Sequence, residues 1–574
     1  MSTVPDTAVP QDDTTRYLCA AAHVDFRYAD AAIREFVVEP TRPVPPSPGF
    51  QPANVLVEAI ASRTRRKYRD GALAVLAGLF IWLAWGTWLL YGWLIVGVAA
   101  AIPSMLVAAG KSGTGTGTKL ATAARTRKAG GVIAVIVGIL LIGSLASGAL
   151  QGAFGSSSRD RYYYDDVYPY EPPAQLWPYA LIPLVLIGVV LILDRLFVWN
   201  VLRTRFGYGT RNRPPAGPTD AEEQLLAVSP RRFLGNLDRY RTPAPQTAGG
   251  APLIVHRGYN PFVGAGLHRE PWSMALPLEK LSQDTKPDGS PFDELTTISL
   301  YDRVREAMSA LQASNALSPD QRLRSLKIID AVYASASELI DHLPDSTTDL
   351  YLSHVDFPPN STLPATEVAA LRRQPREWAR YYLCFQVETW DRDLVMSSFL
   401  HAAVDETTLY LEWTPCVLPP VREEYRAVDK LNSNIAVPLG QALLRWVKLP
   451  ASILGRTVHT LGLIRPLRRE REIINPDAYG TLRTLREMAA ANEVPNYFQL
   501  VDIERYEKIM HSRLIPAISR ILRDSGYSPA TFERQAEMVV NNDVTIEHNF
   551  GAFNVGGKVS GDMSGATVRA GAEK

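Results

Sequence analysis

The chain has few cysteines, almost no net charge and none of the short patterns that mark common active sites. Only Cys19, Cys384 and Cys416 occur in 574 residues, an odd and scattered set. That argues against a disulfide framework, and no pair has metal-type spacing. Lys and Arg number 60 against 59 Asp and Glu, a formal charge of +1. No global positive field therefore points to nucleic acid. H-E-x-x-H, C-x-x-C and G-x-S-x-G are missing. GKSGTGTGTK does not satisfy G-x-x-x-x-G-K-[ST], because Met105 stands where a glycine is needed and Thr118 precedes Lys119. The Gly264–Gly266 loop, with His268 and Arg269 beside it, has the look of an anion cradle. Arg269 replaces the third glycine of a dinucleotide fingerprint, so a glycine-rich strand connection is expected there. Cys384, His401 and Asp405 fall on adjacent expected strands and form the only nucleophile set worth checking. These gaps lean against an enzyme, and no cofactor is expected.

What the chain does have is a block of apolar runs at 71–201. Backbone groups in hydrocarbon must be satisfied within the segment, so such runs read as spanning helices. The run 71–109 would be about 58 Å long as one helix against a core of about 30 Å. A tight hairpin is expected, turning somewhere in WGTWLLYGW. Basic flanks surround the first run: Arg63, Arg65, Arg66, Lys67 and Arg69 before it, Lys111, Lys119, Arg125, Arg127 and Lys128 after it. Positive flanks belong on the cytoplasmic side, so the crossings between them are even in number. With two further runs, at 130–150 and 178–199, the expectation is four transmembrane helices with both termini cytoplasmic. Asp194 and Arg195 are the only ionisable residues well inside an apolar run. They lie near its cytoplasmic end, where they snorkel or pair. The first run starts 70 residues in, behind a polar segment, which does not fit a cleavable signal peptide.

The organisation expected is a cytosolic segment 1–70, the membrane region 71–201, a linker 202–220, a cytosolic α+β domain 221–540 and a Gly/Asn-rich tail 541–574. ARYYLCFQVETW, LVMSSFLHAAV and TTLYLEWTPCVL read as an antiparallel β-meander joined by short polar turns. LIVHRGY, WSMALPLE and SLKIIDAVYAS read as further strands. In DIERYEKIMHSRLIPAISRILRDSG, Ile503, Tyr506, Ile509, Met510, Leu514 and Ile518 make a helical apolar stripe.

GYNPFVGAG and RYLCAAAHVDFRYADAAIREFVVEPTRPVPPSPGF resemble a group of uncharacterised actinobacterial-type multi-pass membrane proteins. That resemblance implies a bacterial cell membrane and no known chemistry. Two surfaces stand out as binding candidates. Lys430 to Arg469 has Asp or Glu nowhere within it except what precedes it at Asp429. Its Arg445, Lys448, Arg456, Arg465, Arg468 and Arg469 are candidate contacts to anionic lipid of the inner leaflet, with a basic helical face of the soluble part as the equal alternative. In the tail, Phe553, Val555 and Gly556 are similar to the core of the RIP homotypic interaction motif, with Asn554 where that motif has Gln. This resemblance implies self-association or recruitment of a signalling partner. The function expected is a non-enzymatic scaffold or signalling component that holds an α+β domain at the inner leaflet. A membrane-bound enzyme acting on a lipid or nucleotide, and a small oligomeric channel, are the alternatives.

Overall fold

The computed structural model of the chain describes residues 13–97, 177–210, 220–241, 250–464 and 474–542, apart from single positions and short loops inside those ranges. The chain folds as two compact units. The first takes residues 1–264, 332–365 and 421–489; the second takes 265–331, 366–420 and 490–574.

The first unit is built on the helix Pro52–Leu83. Its lower half buries Val55, Leu56, Ala59 and Ile60 against the helices Asp13–Val24 and Phe26–Ile33. Those helices bring small residues to the contact: Ala20, Ala21, Ala22, Ala29 and Ala32 are fully buried. Small side chains let helix backbones approach closely. Asp25 separates the two short helices and caps the second, accepting the Arg27 N–H at 2.8 Å. The helix Leu181–Arg205 lies against Pro52–Leu83 and adds Val198, Val201 and Leu202 to the same core. In this unit β1 (Ala251–His256) pairs in parallel with the last four residues of β4 (Lys327–Ser335) and antiparallel with β5 (Thr362–Leu363).

In the second unit β6 (Ala379–Thr389), β7 (Leu394–Val404) and β8 (Thr408–Leu418) form an antiparallel meander. They lie where the sequence has its three β-rich runs. β2 (Leu267–His268) and β3 (Trp272–Pro277) both pair with β8. The two meander turns solve the same problem differently. Trp390, Asp391 and Arg392 all adopt positive φ between β6 and β7. Between β7 and β8, Asp405 accepts the Thr407 and Thr408 N–H groups. The helix Thr297–Ser309 starts at a capping box between Thr296 and Ser299 and packs with the long helix Tyr497–Asp524. In the latter Ile503, Tyr506, Met510, Leu514 and Ile518 are buried.

Two expectations need correction. The four-helix transmembrane block is not what the described residues contain. One helix, Pro178–Arg205 with 28 residues, is long and apolar enough to cross a membrane. It is about 42 Å long. The helix Pro52–Leu83 is longer, but its first two turns onward serve a core and only residues 71–83 are apolar, about 20 Å against a hydrocarbon core of about 30 Å. The chain then turns, with Thr87 N–H donating to the Ala84 carbonyl at 3.1 Å. The Trp93 ring returns to lie edge-on to Phe80, 4.9 Å between centroids. The run 130–150, the loop 151–176 and GKSGTGTGTK lie outside the described residues. Multi-pass topology therefore falls. The rest of the described residues are mixed α/β with eight strands, and not α+β, because β1 and β4 pair in parallel. Nothing in either strand's own sequence distinguishes a parallel neighbour from an antiparallel one.

Candidate membrane-facing charged layer

Pro52–Leu83 and Leu181–Arg205 run antiparallel, and their contact is layered by chemistry. At one end Phe80, Ala84, Leu90 and Ala180 form an apolar cluster. Next come Leu73, Ala77, Ile187, Leu191 and Leu449. Charged side chains follow, and below them the core of small helices.

The charged layer starts with Arg65 and Arg69, four residues apart and so on one helix face. Both reach Asp194, Arg69 at 3.1 Å. Arg69 also holds Asp70 through Nε at 2.8 Å. Asp70 takes a second cation, Arg456, at 3.3 Å. Arg195 turns from Asp194 and donates through Nε to the Gln441 side-chain oxygen at 2.8 Å. A step further in, Glu58 accepts from Arg205 at 2.6 Å and meets His23 Nε2 at 2.8 Å. Burial pushes the Glu58 carboxyl up, but His23 and Arg205 outweigh that and hold it below the usual carboxylate range. Arg66 is buried too, and burial takes its guanidinium down to about 10.

The candidate basic segment 430–469 supplies the other wall. It forms two helices, Ala436–Val447 and Leu449–Ile464. Pro438 and Pro450, which break the sequence pattern, sit in the first turns, where a missing N–H does no harm. The first helix lies along Leu181–Arg205. Trp446 rests on Gly188 and donates its ring N–H to the Leu184 carbonyl at 3.2 Å. Of the candidate lipid contacts, Arg456 is held by Asp70, and its Nε by Ser452 at 3.2 Å. Arg445 and Lys448 are half-buried. Arg465, Arg468, Arg469, Phe553, Val555 and Gly556 lie outside the described residues.

Sequence reasoning missed Glu58, His23 and Arg205 as a set. The signal was present: Glu58 sits among Val55, Leu56, Ala59 and Ile60 on the face that is buried. A carboxylate there requires buried cations. Asp194 was singled out, but its partners come from a helix over a hundred residues away in sequence.

The other candidates resolve as structural. Cys384 and His401 face the same side of the meander, since Cys384 pairs with Phe399 in register. Burial pushes the Cys384 thiol up to about 12, so almost no thiolate exists near neutral pH. The His401 Nδ1 lies 3.0 Å from the Tyr381 carbonyl, and the Asp405 carboxylate is used in its turn. No triad forms. The loop at Gly264 does hold an anion, but it is the chain's own: the Gly264 N–H donates to Glu487 at 2.9 Å. The second oxygen of that carboxylate accepts the Thr484 N–H at 2.7 Å. Among the described residues no group of three His, Cys, Asp or Glu is placed to hold a metal ion.

The AbeC-like domain model matches residues 271–558, half of the chain. The chain belongs to the AbeC-like family. No curated protein and no solved structure matches it. The AbeC-like region takes in the meander, the helices Ala436–Val447 and Leu449–Ile464, and the helix Tyr497–Asp524. The helices Pro52–Leu83 and Leu181–Arg205 lie outside it.

Proposed function

We propose that this protein is a membrane-anchored scaffold, fixed in the bacterial cell membrane by Pro178–Arg205 and presenting its mixed α/β part at the cytoplasmic surface. The observation that carries this is an apolar face that no other described residue covers. Along Leu181–Arg205, Leu181, Ile182, Val185, Leu186, Val189 and Leu193 are exposed, with Val185 at 58% and Leu193 at 61%. Val75, Leu79 and Trp82 on Pro52–Leu83 are exposed as well. Isolated exposed apolar residues are ordinary, but a continuous belt of this kind in water is not. The belt ends where Arg65, Arg69 and Arg195 begin, and an arginine-rich border belongs on the cytoplasmic side.

The test is extraction of membranes from cells that make the full chain. Alkaline carbonate and high salt are expected to leave the protein in the membrane pellet, and a mild non-ionic detergent to release it. Recovery in the carbonate supernatant would show that the apolar belt is covered by something other than lipid.

A further inference from the structure

The charged layer is unbalanced. Arg65, Arg69, Arg195, Arg445 and Arg456 face two carboxylates, Asp70 and Asp194. Three of these arginines share the two acids. Among the described residues Arg195 donates hydrogen bonds only to the neutral Gln441 oxygen, with Asp194 attracting it at a distance. Arg445 has no hydrogen bond or ion pair among the described residues, although it is half-buried; Arg195, Arg69 and Arg456 repel it, and Asp194, already bonded to two other arginines, attracts it only at a distance. The Nε of Arg65 is buried with no hydrogen-bond partner among the described residues. Uncompensated guanidinium groups out of water are costly, and an anion that brings its own oxygen acceptors removes that cost. Guanidinium donors in a planar fork suit a phosphate.

The place narrows the source of the phosphate. Leu443 and Leu444, beside Arg445, are 49% and 52% exposed, and Leu193, beside Asp194 and Arg195, is 61% exposed. An occupant must meet cations at one end and exposed aliphatic side chains at the other. We propose that Arg445 and Arg195, on the adjoining helices Ala436–Val447 and Leu181–Arg205, bind the headgroup phosphate of an anionic membrane lipid whose acyl chains lie along Leu443, Leu444 and Leu193. This rests on the membrane reading above; to the candidate Arg445 it adds Arg195 and the path of the acyl chains. Asp194 accepts its hydrogen bonds from Arg65 and Arg69, and it makes none with Arg195 or Arg445.

The experiment uses the full chain purified in a neutral detergent, with phosphatidylglycerol or phosphatidylcholine added at equal concentration. Native mass spectrometry reads bound lipid, and thermal unfolding reads stabilisation. Phosphatidylglycerol is expected to bind and to raise the melting temperature more than phosphatidylcholine. Each arginine is expected to contribute about fivefold, so R445Q lowers phosphatidylglycerol retention about fivefold and R195Q/R445Q further. R445K, which keeps the charge, is expected to retain more lipid than R445Q. Equal retention of the two lipids, or retention unchanged in R445Q, overturns the proposal. Equal stabilisation by inorganic phosphate alone overturns the lipid as the ligand. Should R195Q/R445Q not unfold cooperatively, R445Q against R445K decides the matter. Carbonate extraction of R445Q separates the two ideas: a variant that stays in the membrane but loses the lipid preference leaves the anchor standing, whereas a wild-type chain that leaves the membrane removes both.

Discussion

At the scale of single residues, the strongest constraints are buried charges whose partners are far away in sequence. Glu58 holds His23 and Arg205 in the core of the first unit. Glu58→Gln keeps the shape and removes the buried negative charge that Arg205 pairs with. The loss is expected to be about 3–5 kcal/mol, read as a lower urea midpoint. His401 gives a pH dependence of definite sign. Burial lowers its pKa below the ordinary 6.5. Above 6.5 it is neutral both folded and unfolded, so it contributes fully. Below 6.5 the unfolded chain takes up a proton that the folded chain refuses, and stability is lost as pH falls towards the folded value. The urea midpoint of the second unit is expected to fall between about pH 7.5 and about pH 5.5, and His401→Asn to flatten that slope. Asn at this site can still donate to the Tyr381 carbonyl. His268, lowered by burial as well, adds to the slope in the same direction.

At the scale of elements, the outcomes follow the range of the signal. β6, β7 and β8 fall on runs of β-branched and aromatic residues, and the helix Thr297–Ser309 starts at its capping box. These are local signals. TLRTLREMAAANE has helical composition but yields only Leu485–Ala489. There the backbone serves other ends: Arg422 donates to the Met488 carbonyl and, through its N–H, to the Ala489 carbonyl at 3.0 Å. The glycine connection before β2 shows what the residue type is for. Gly266 has φ +90°, and a Cβ there would collide with the Val417 carbonyl. Gly266→Ala combines left-handed strain with that clash, so a loss of about 3 kcal/mol is expected, measured by urea unfolding. The same loop had the look of an anion cradle in sequence. What fills it is Glu487, more than two hundred residues on.

For the whole molecule, hydropathy found a real apolar surface but counted its crossings wrongly. An apolar run shows that side chains avoid water; it does not say where the chain turns. Pro52–Leu83 carries one sequence-continuous helix whose lower part is a protein core and whose upper end is exposed. The belt on Leu181–Arg205 leads to a direct expectation. Val185→Lys with Val189→Lys removes little packing inside the protein, since both are exposed, but each lysine costs about 2.5–3.5 kcal/mol at the centre of a bilayer. The double variant is expected to shift the chain into the carbonate-soluble or aggregated fraction, and the mixed α/β part to keep its unfolding transition. By itself the sequence determined the position of the apolar helix, the arginine-rich border and the meander, because composition and short-range periodicity carry them. The tertiary structure alone decided that β1 and β4 run parallel, that Asp194 and Glu58 have arginines to hold, and that Arg445 has no hydrogen bond or ion pair among the described residues. Those are pairings between distant segments, fixed by how helices and strands dock, and no local window of residues contains them.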